Sequence, residues 1–254
     1  MIRARFALCM PLVALLALAG CDDDPEAGPP TGDGGSEPPT GDAGMAQASL
    51  RVIHLSPDAP AVDVHVDDDP SAVVSELAFE EGTEYLSVPA ADYDVDVAPA
   101  GEGPGASVLA VDDLSLAADI HHTAVAFDEL ASIQALALVD ELDGVAAGDI
   151  RVRAVHTASA VGEVDIWNVT DPGSPAVLYE DVAFGDVGDY LDLPAAAYSI
   201  GFDVDDDAEP DLVFDLPDLP AGTVANVFAV SSGSDVFLIA QLEDGTVARI
   251  DPAS

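Results

Sequence analysis

One stretch of thirteen residues is written twice in this chain. Residues 85–97 read YLSVPAADYDVDV, and residues 190–202 read YLDLPAAAYSIGF. Further matches flank it. Arg51, His54, Val62 and Asp63 recur as Arg153, His156, Val164 and Asp165 at one offset, and Ala78 and Phe79 recur as Ala183 and Phe184 at an offset three residues longer. Each copy is the size of a domain with its own core, and the period is too long for a solenoid unit that needs neighbours to fold. The duplication therefore predicts two tandem domains, 49–146 and 149–254, joined by the short link DGVAAGD at 143–149.

The repeated stretch also shows what each copy is made of. In DYDVDV, Tyr93, Val95 and Val97 share one parity and Asp92, Asp94 and Asp96 the other. A side-chain period of two sends the first set to a core and the second to water. In the second copy Tyr198, Ile200 and Phe202 take the core positions. Pro89-Ala90 and Pro194-Ala195 read as turns, so the stretch reads as a hairpin. After Ser49 such short runs recur every eight to twelve residues between Pro, Gly and Asp clusters, the pattern of an all-β domain. No segment keeps a helical period; 71–79 (SAVVSELAF) comes nearest, and its β-branched residues suit a strand. The predicted fold is two tandem immunoglobulin-like or transthyretin-like antiparallel β-sandwich domains after a disordered linker.

The runs RVIHLSPDAPAVDVHVD (51–67) and LAFEEGTEYLSVPAADYDVDVAPAG (77–101) resemble the uncharacterised bacterial family called domain of unknown function 4397. The second copy resembles it in degraded form, through RAVHTASAVGEVDIWN (153–168) and VAFGDVGDYLDLPAAAYSIGF (182–202). The resemblance implies an exported tandem β-sandwich module. It supplies no catalytic residues, since no activity is established for the family. Two departures stand out. Ala91 and Ala196 replace a frequent Gly, which would strain a left-handed turn there. Ser159-Ala160-Val161-Gly162 replaces the Pro57-Asp58-Ala59-Pro60 corner, so that edge is expected to differ in the second copy.

The N-terminal end carries its own information. Residues 1–20 hold Arg3 and Arg5 before a short apolar run, the layout of a signal peptide. They end in Leu18-Ala19-Gly20-Cys21, which resembles a bacterial lipoprotein signal and implies lipidation of Cys21. Residues 21–48 read as a lipidated Cys and a disordered Pro/Gly/Asp linker, with PPTGD at 29–33 and 38–42. The partner this implies is a membrane, inner or outer, reached through acyl chains in the cell envelope. The other Cys, Cys9, lies within the signal, so disulfides and thiolate metal sites are not expected.

Charge removes another class. The chain has 49 acidic residues and six basic ones, all arginine, for a formal net charge of −43. Such a surface repels phosphate backbones, so nucleic acid is not an expected partner. Cations, basic proteins or envelope glycans remain.

Few constellations could carry chemistry. Arg51, His54 and Asp63, and their copies, could form an acid–base pair. The favoured reading is structural: a His and an Asp bonded across a sheet, with the Arg neutralising the Asp. His121-His122 point to opposite faces of a strand and are poorly placed for one metal. His65 falls on the outward face and is expected to be solvated. Asp203, Asp205 and Asp207 hold the first, third and fifth positions of a calcium-loop spacing. There Ala208 replaces the turn Gly and Phe214 the closing Glu, so calcium binding at Asp203, Asp205 and Asp207 would be weak. No other cofactor is indicated. Trp167, the single Trp, falls on an outward face and could stack on a sugar or partner. No nucleophile elbow, phosphate loop or zinc spacing occurs. The expected function is a lipid-anchored, non-enzymatic binding or spacer module of the envelope. The alternatives are a calcium-stabilised adhesive protein and a hydrolase using outward His/Asp groups.

Overall fold

The computed structural model describes residues 45–253; the signal peptide expected over 1–20, Cys21 and most of the linker expected over 21–48 lie outside them. The described residues hold seventeen strands and two 3-10 turns. The first repeat supplies β1 (Gln47–Leu55), β2 (Val62–Val66), β3 (Val74–Leu77), β4 (Leu86–Pro89), β5 (Ala91–Pro99), β6 (Leu109–Leu116), β7 (His121–Phe127) and β8 (Gln134–Asp140). The second supplies β9 (Asp149–Thr157), β10 (Val164–Asn168), β11 (Ala176–Val182), β12 (Leu191–Pro194), β13 (Tyr198–Asp203), β14 (Leu212–Leu216), β15 (Val224–Ser232), β16 (Asp235–Leu242) and β17 (Val247–Ile250).

Each repeat is a sandwich of two sheets. The orders are β3-β2-β5-β6 with β4-β1-β7-β8, and β11-β10-β13-β14 with β12-β9-β15-β16-β17. The fold class is as expected, with one refinement: the central pair of one sheet in each repeat, β1 with β7 and β9 with β15, runs parallel. Alternation cannot reveal this, because parallel and antiparallel strands share a period of two.

The repeated stretch is not a hairpin. β4 pairs with β1, whereas β5 pairs with β2 and β6 in the other sheet. Pro89-Ala90 therefore carries the chain across the sandwich from one sheet to its mate, and Pro194-Ala195 does the same in the second copy. A proline offers no N–H to a ladder, which suits a strand that must stop and change sheets. The hydroxyl of Tyr93 locks the corner by donating to the Pro89 carbonyl at 2.8 Å, as Tyr198 does to Pro194 at 2.7 Å. Ala91 and Ala196 do not adopt positive φ, so the Gly they replace is not needed.

Both faces of the β4-β1-β7-β8 sheet are apolar. On β1, Leu50 and Val52 face their own sandwich, with Val62, Val64, Val95, Val97 and Leu109. The opposite parity, Ile53 and Leu55, joins Val125 and Phe127 in a separate cluster with Val155, Phe228, Val230, Phe237 and Ile239 of the second repeat. A third cluster, including Val164, Ile166, Ile200, Phe202 and Phe214, fills the second sandwich. The molecule is thus four sheets deep, with three apolar layers, and the middle layer belongs to both repeats. Residues 46–253 form one compact unit. The phenylalanines repeated in the sequence cross this layer reciprocally: Phe79 meets Phe237 at 6.4 Å between ring centroids, and Phe184 meets Phe127 at 5.6 Å.

Candidate functional site

The duplicated Arg, His and Asp do not converge. His54 stands three positions after Arg51, so in a strand the two point to opposite faces. His54 turns into its own sandwich, fully buried. Its Nε2 lies 3.2 Å from the Pro60 carbonyl, and its Nδ1 accepts the Ser56 N–H at 3.3 Å. His156 repeats this with Gly162 and Ala158. Burial pushes both imidazoles below the ordinary histidine range, against the opposing pull of these carbonyl bonds. They are neutral clamps on the chain corners that follow β1 and β9.

Asp63 bonds neither His54 nor Arg51, contrary to the cross-sheet pairing expected from sequence. Its two oxygens accept the N–H groups of Glu76 at 2.7 Å and Gly101 at 2.9 Å, which hold its carboxyl below the usual range. Glu76 has φ of +55° beside a register shift between β2 and β3. Asp165 likewise accepts the N–H of Asp181, whose φ is +53°, beside a shift between β10 and β11. The repeated aspartates pin β-bulges, whose extra residue leaves a backbone group without a ladder partner.

Arg51 and Arg153 enter the middle layer, where they share one carboxylate. Asp140 Oδ1 accepts from Arg153 at 2.6 Å and from Asn226 at 3.0 Å; Oδ2 accepts from Tyr85 at 2.6 Å and from Thr123, with Arg51 at 3.6 Å. Tyr85 and Tyr190 stack on Arg51 and Arg153 at 4.7 and 4.4 Å. Burial alone would raise the Asp140 pKa, but Arg51 and the hydrogen bonds outweigh it and hold the group ionised. Burial pushes the Tyr85 and Tyr190 hydroxyls well above their ordinary range. The arrangement is approximately two-fold, because Thr123 lies beside Arg51 as Asn226 lies beside Arg153. Asp140 breaks it: its counterpart two residues beyond Gln241 is Glu243, which is exposed. The sequence pointed to the arginines and tyrosines through their repetition but gave no mark to Asp140, which occurs once.

Two surface features were expected to bind. Asp203, Asp205 and Asp211, rather than Asp207, bring their carboxylate oxygens within 4.8 Å of one another. The reason is the β13–β14 connection. Asp211 donates its N–H to Phe202 and accepts the Val204 N–H, which folds it back beside Asp203, whereas Asp207 sits at the tip and caps Glu209. Asp203 is buried and accepts three N–H groups, from Asp205, Asp206 and Ala208. The negative charges of Asp207, Asp211 and Asp203, with some burial, raise the Asp205 pKa. Ala208 has φ of +65°, the backbone a turn Gly would supply.

Trp167 is on the outward face of β10, as parity requires, but half-buried. It lies opposite Gly201, over which Pro210 packs so closely that a Cβ would come within 2.6 Å. Its indole N–H is enclosed with no acceptor among the described residues. His65 holds the same position in the first repeat and is not solvated. It is 1 % exposed, with ring nitrogens 3.0 and 3.2 Å from the carbonyls of Asp69 and Glu102. Parity names the face of a sheet; it does not say whether loops cover that face.

No curated protein matches the sequence. A solved structure described as alpha-glucan binding by a streptococcal virulence factor is similar at 16 % identity with a TM-score of 0.22, over 71 % of this chain and 92 % of that one. At that score the likeness carries no inference about a ligand. The profile of the domain of unknown function DUF4397 matches residues 48–167, the whole first repeat and the first two strands of the second. Over those residues, a little under half of its length, the chain is similar to the DUF4397 family.

Proposed function

We propose that the protein is a non-catalytic module of the cell envelope, tethered through lipid on Cys21, whose paired sandwiches bind or space an envelope partner. The observation that carries this reading is the use made of the repeated polar residues. His54 and His156 clamp corners, Asp63 and Asp165 pin bulges, and Arg51 and Arg153 are buried against Asp140. Each is engaged in holding the fold, and His54 and Asp63 form no cleft of the kind a hydrolase needs. The tether follows from the signal pattern ending at Cys21 and the Pro/Gly/Asp linker after it. Metabolic labelling with a clickable fatty acid, followed by membrane fractionation, tests it. The native chain should take up label and sediment with membranes, and Cys21→Ser should do neither. An unlabelled native chain would refute the tether.

A second reading, a calcium-stabilised adhesive protein, is favoured by the convergence of Asp203, Asp205 and Asp211. Calcium accepts such loose oxygen geometry. A melting temperature unchanged by millimolar calcium would dismiss it.

A further inference from the structure

The two sandwiches differ most where Ser159-Ala160-Val161-Gly162 replaces the Pro57–Pro60 corner. In the first repeat residues 128–133 connect β7 to β8 through a 3-10 turn, Leu130–Ser132, and Asp58 accepts the Leu130 N–H at 2.6 Å. The equally long segment 231–236 of the second repeat instead continues as a straight hairpin to the Ser232–Asp235 pair. Ala160 stands where Asp58 stands, so no carboxylate draws the connection over; the Ala160 N–H bonds Ser231 Oγ at 3.2 Å. A pocket of about 580 Å³ opens beside this hairpin, between the corner, the acidic β13–β14 connection and the chain after β17. That volume is in the range of small-molecule sites.

Its lining is of two kinds. Val161, Leu212 and Val236 supply aliphatic surface, and Asp211, Asp235 and Asp251 supply carboxylates. Among the described residues the lining holds one cation, Arg249, and it is already balanced. It donates to Asp251 at 2.8 Å, pairs with Glu80 and lies 3.5 Å over the Phe237 ring. Asp211 and Asp235 therefore leave net negative charge in the pocket, with Asp203 and Asp205 close behind Asp211. Anions are repelled. A bare metal ion would leave the aliphatic surface uncovered, and a neutral chain would gain nothing from the exposed carboxylates of Asp211 and Asp235.

We propose that this pocket binds an aliphatic ammonium ion, a linear diamine or polyamine, with its methylenes on Val161, Leu212 and Val236 and its charged ends on Asp211 and Asp235. Long amines divide their contacts in this way, the stem on apolar surface and the head on charge. The strongly acidic surface would concentrate such cations around the protein. The inference rests on the reading of the module as a binder but not on the tether, so failure of acylation and failure of amine binding are separate results.

The test titrates spermidine and 1,6-diaminohexane into the full chain in neutral detergent at about 150 mM salt, where diffuse surface attraction is screened. Hexane-1,6-diol and calcium chloride are the comparison ligands. Calorimetry should show one amine site, and amide NMR shifts should centre on residues 211–212 and 234–236. Asp211→Asn/Asp235→Asn should weaken binding at least about tenfold, while Asp92→Asn/Asp218→Asn should not. Val161→Trp, which fills the pocket and keeps every charge, should weaken it as well. Equal loss in both aspartate pairs, no effect of Val161→Trp, many weak sites, no amine heat, or calcium reproducing the same shifts would each overturn the proposal.

Discussion

Replacing Asp140 with alanine is expected to destabilise both repeats at once. The carboxylate is buried between Arg51, 1 % exposed, and Arg153, 6 % exposed. Removing it leaves two guanidinium groups in the middle layer without a counter-charge and deprives Tyr85 and Thr123 of their acceptor. Breaking a buried ion pair on one side costs about 3–5 kcal/mol, a large part of the roughly 5–15 kcal/mol that holds a domain folded. For a unit of this size the melting temperature should fall by about 6–20 °C. The assay is urea unfolding followed by far-ultraviolet circular dichroism, which reports all strands, and by Trp167 fluorescence, which reports the outer sheet of the second repeat. Both midpoints should fall together, although Asp140 closes the last strand of the first repeat. The triple variant Arg51→Met/Asp140→Leu/Arg153→Met should recover most of the loss, since no charge is then stranded. A loss under about 1 kcal/mol, or a fall in one probe alone, would refute the shared buried cluster.

Acid should weaken the fold in two stages. Burial depresses the pKa of His54, His122 and His156. The stability they contribute is present above their unfolded value of 6.5 and is lost as pH falls through the folded values. Asp63, Asp128 and Asp140 are depressed carboxylates, so their contribution persists until pH falls below 3.8. Urea midpoints recorded from pH 8 downward should begin to fall near pH 6.5, and His54→Gln/His156→Gln should flatten that first decline. Ala208→Gly relieves a positive φ and should add about 0.5–1 kcal/mol in thermal melts; a loss would mean that the loop needs the methyl group. Phe79→Ala removes a ring packed on Phe237 of the other repeat and should cost about 2–4 kcal/mol in urea unfolding, with the Trp167 transition moving as far as the circular dichroism.

Much of this architecture is written in the sequence in repeated form. The alternation of Val95 and Val97 with Asp94 and Asp96 gave their faces, and the matched tyrosines, arginines and phenylalanines turned out to build the corners and the layer between repeats. Arg51 and His54 could have been assigned to opposite faces from their spacing alone. What the sequence hides is long-range pairing. The parallel β1–β7 ladder joins residues about seventy apart, and the change of sheet at Pro89 reads locally like any turn. Asp140 has no conspicuous neighbours and no repeated copy, so its place between two arginines appears only when the repeats face each other. His65 shows the complementary limit, since its covering comes from carbonyls four and thirty-seven residues away. In the acidic loop, spacing favoured Asp207, but the β13–β14 hairpin returns Asp211 to Asp203 instead.

Native-state hydrogen exchange tests the claim that the two sandwiches share one core. Amides of β1 and β7 in the first repeat and of β9 and β15 in the second all border the middle layer. They should exchange only through one common opening, with the same free energy and the same denaturant dependence. If the strands of one repeat open at several kcal/mol less than those of the other, the repeats fold as separate domains that merely touch, and the middle layer is a contact surface rather than a common core.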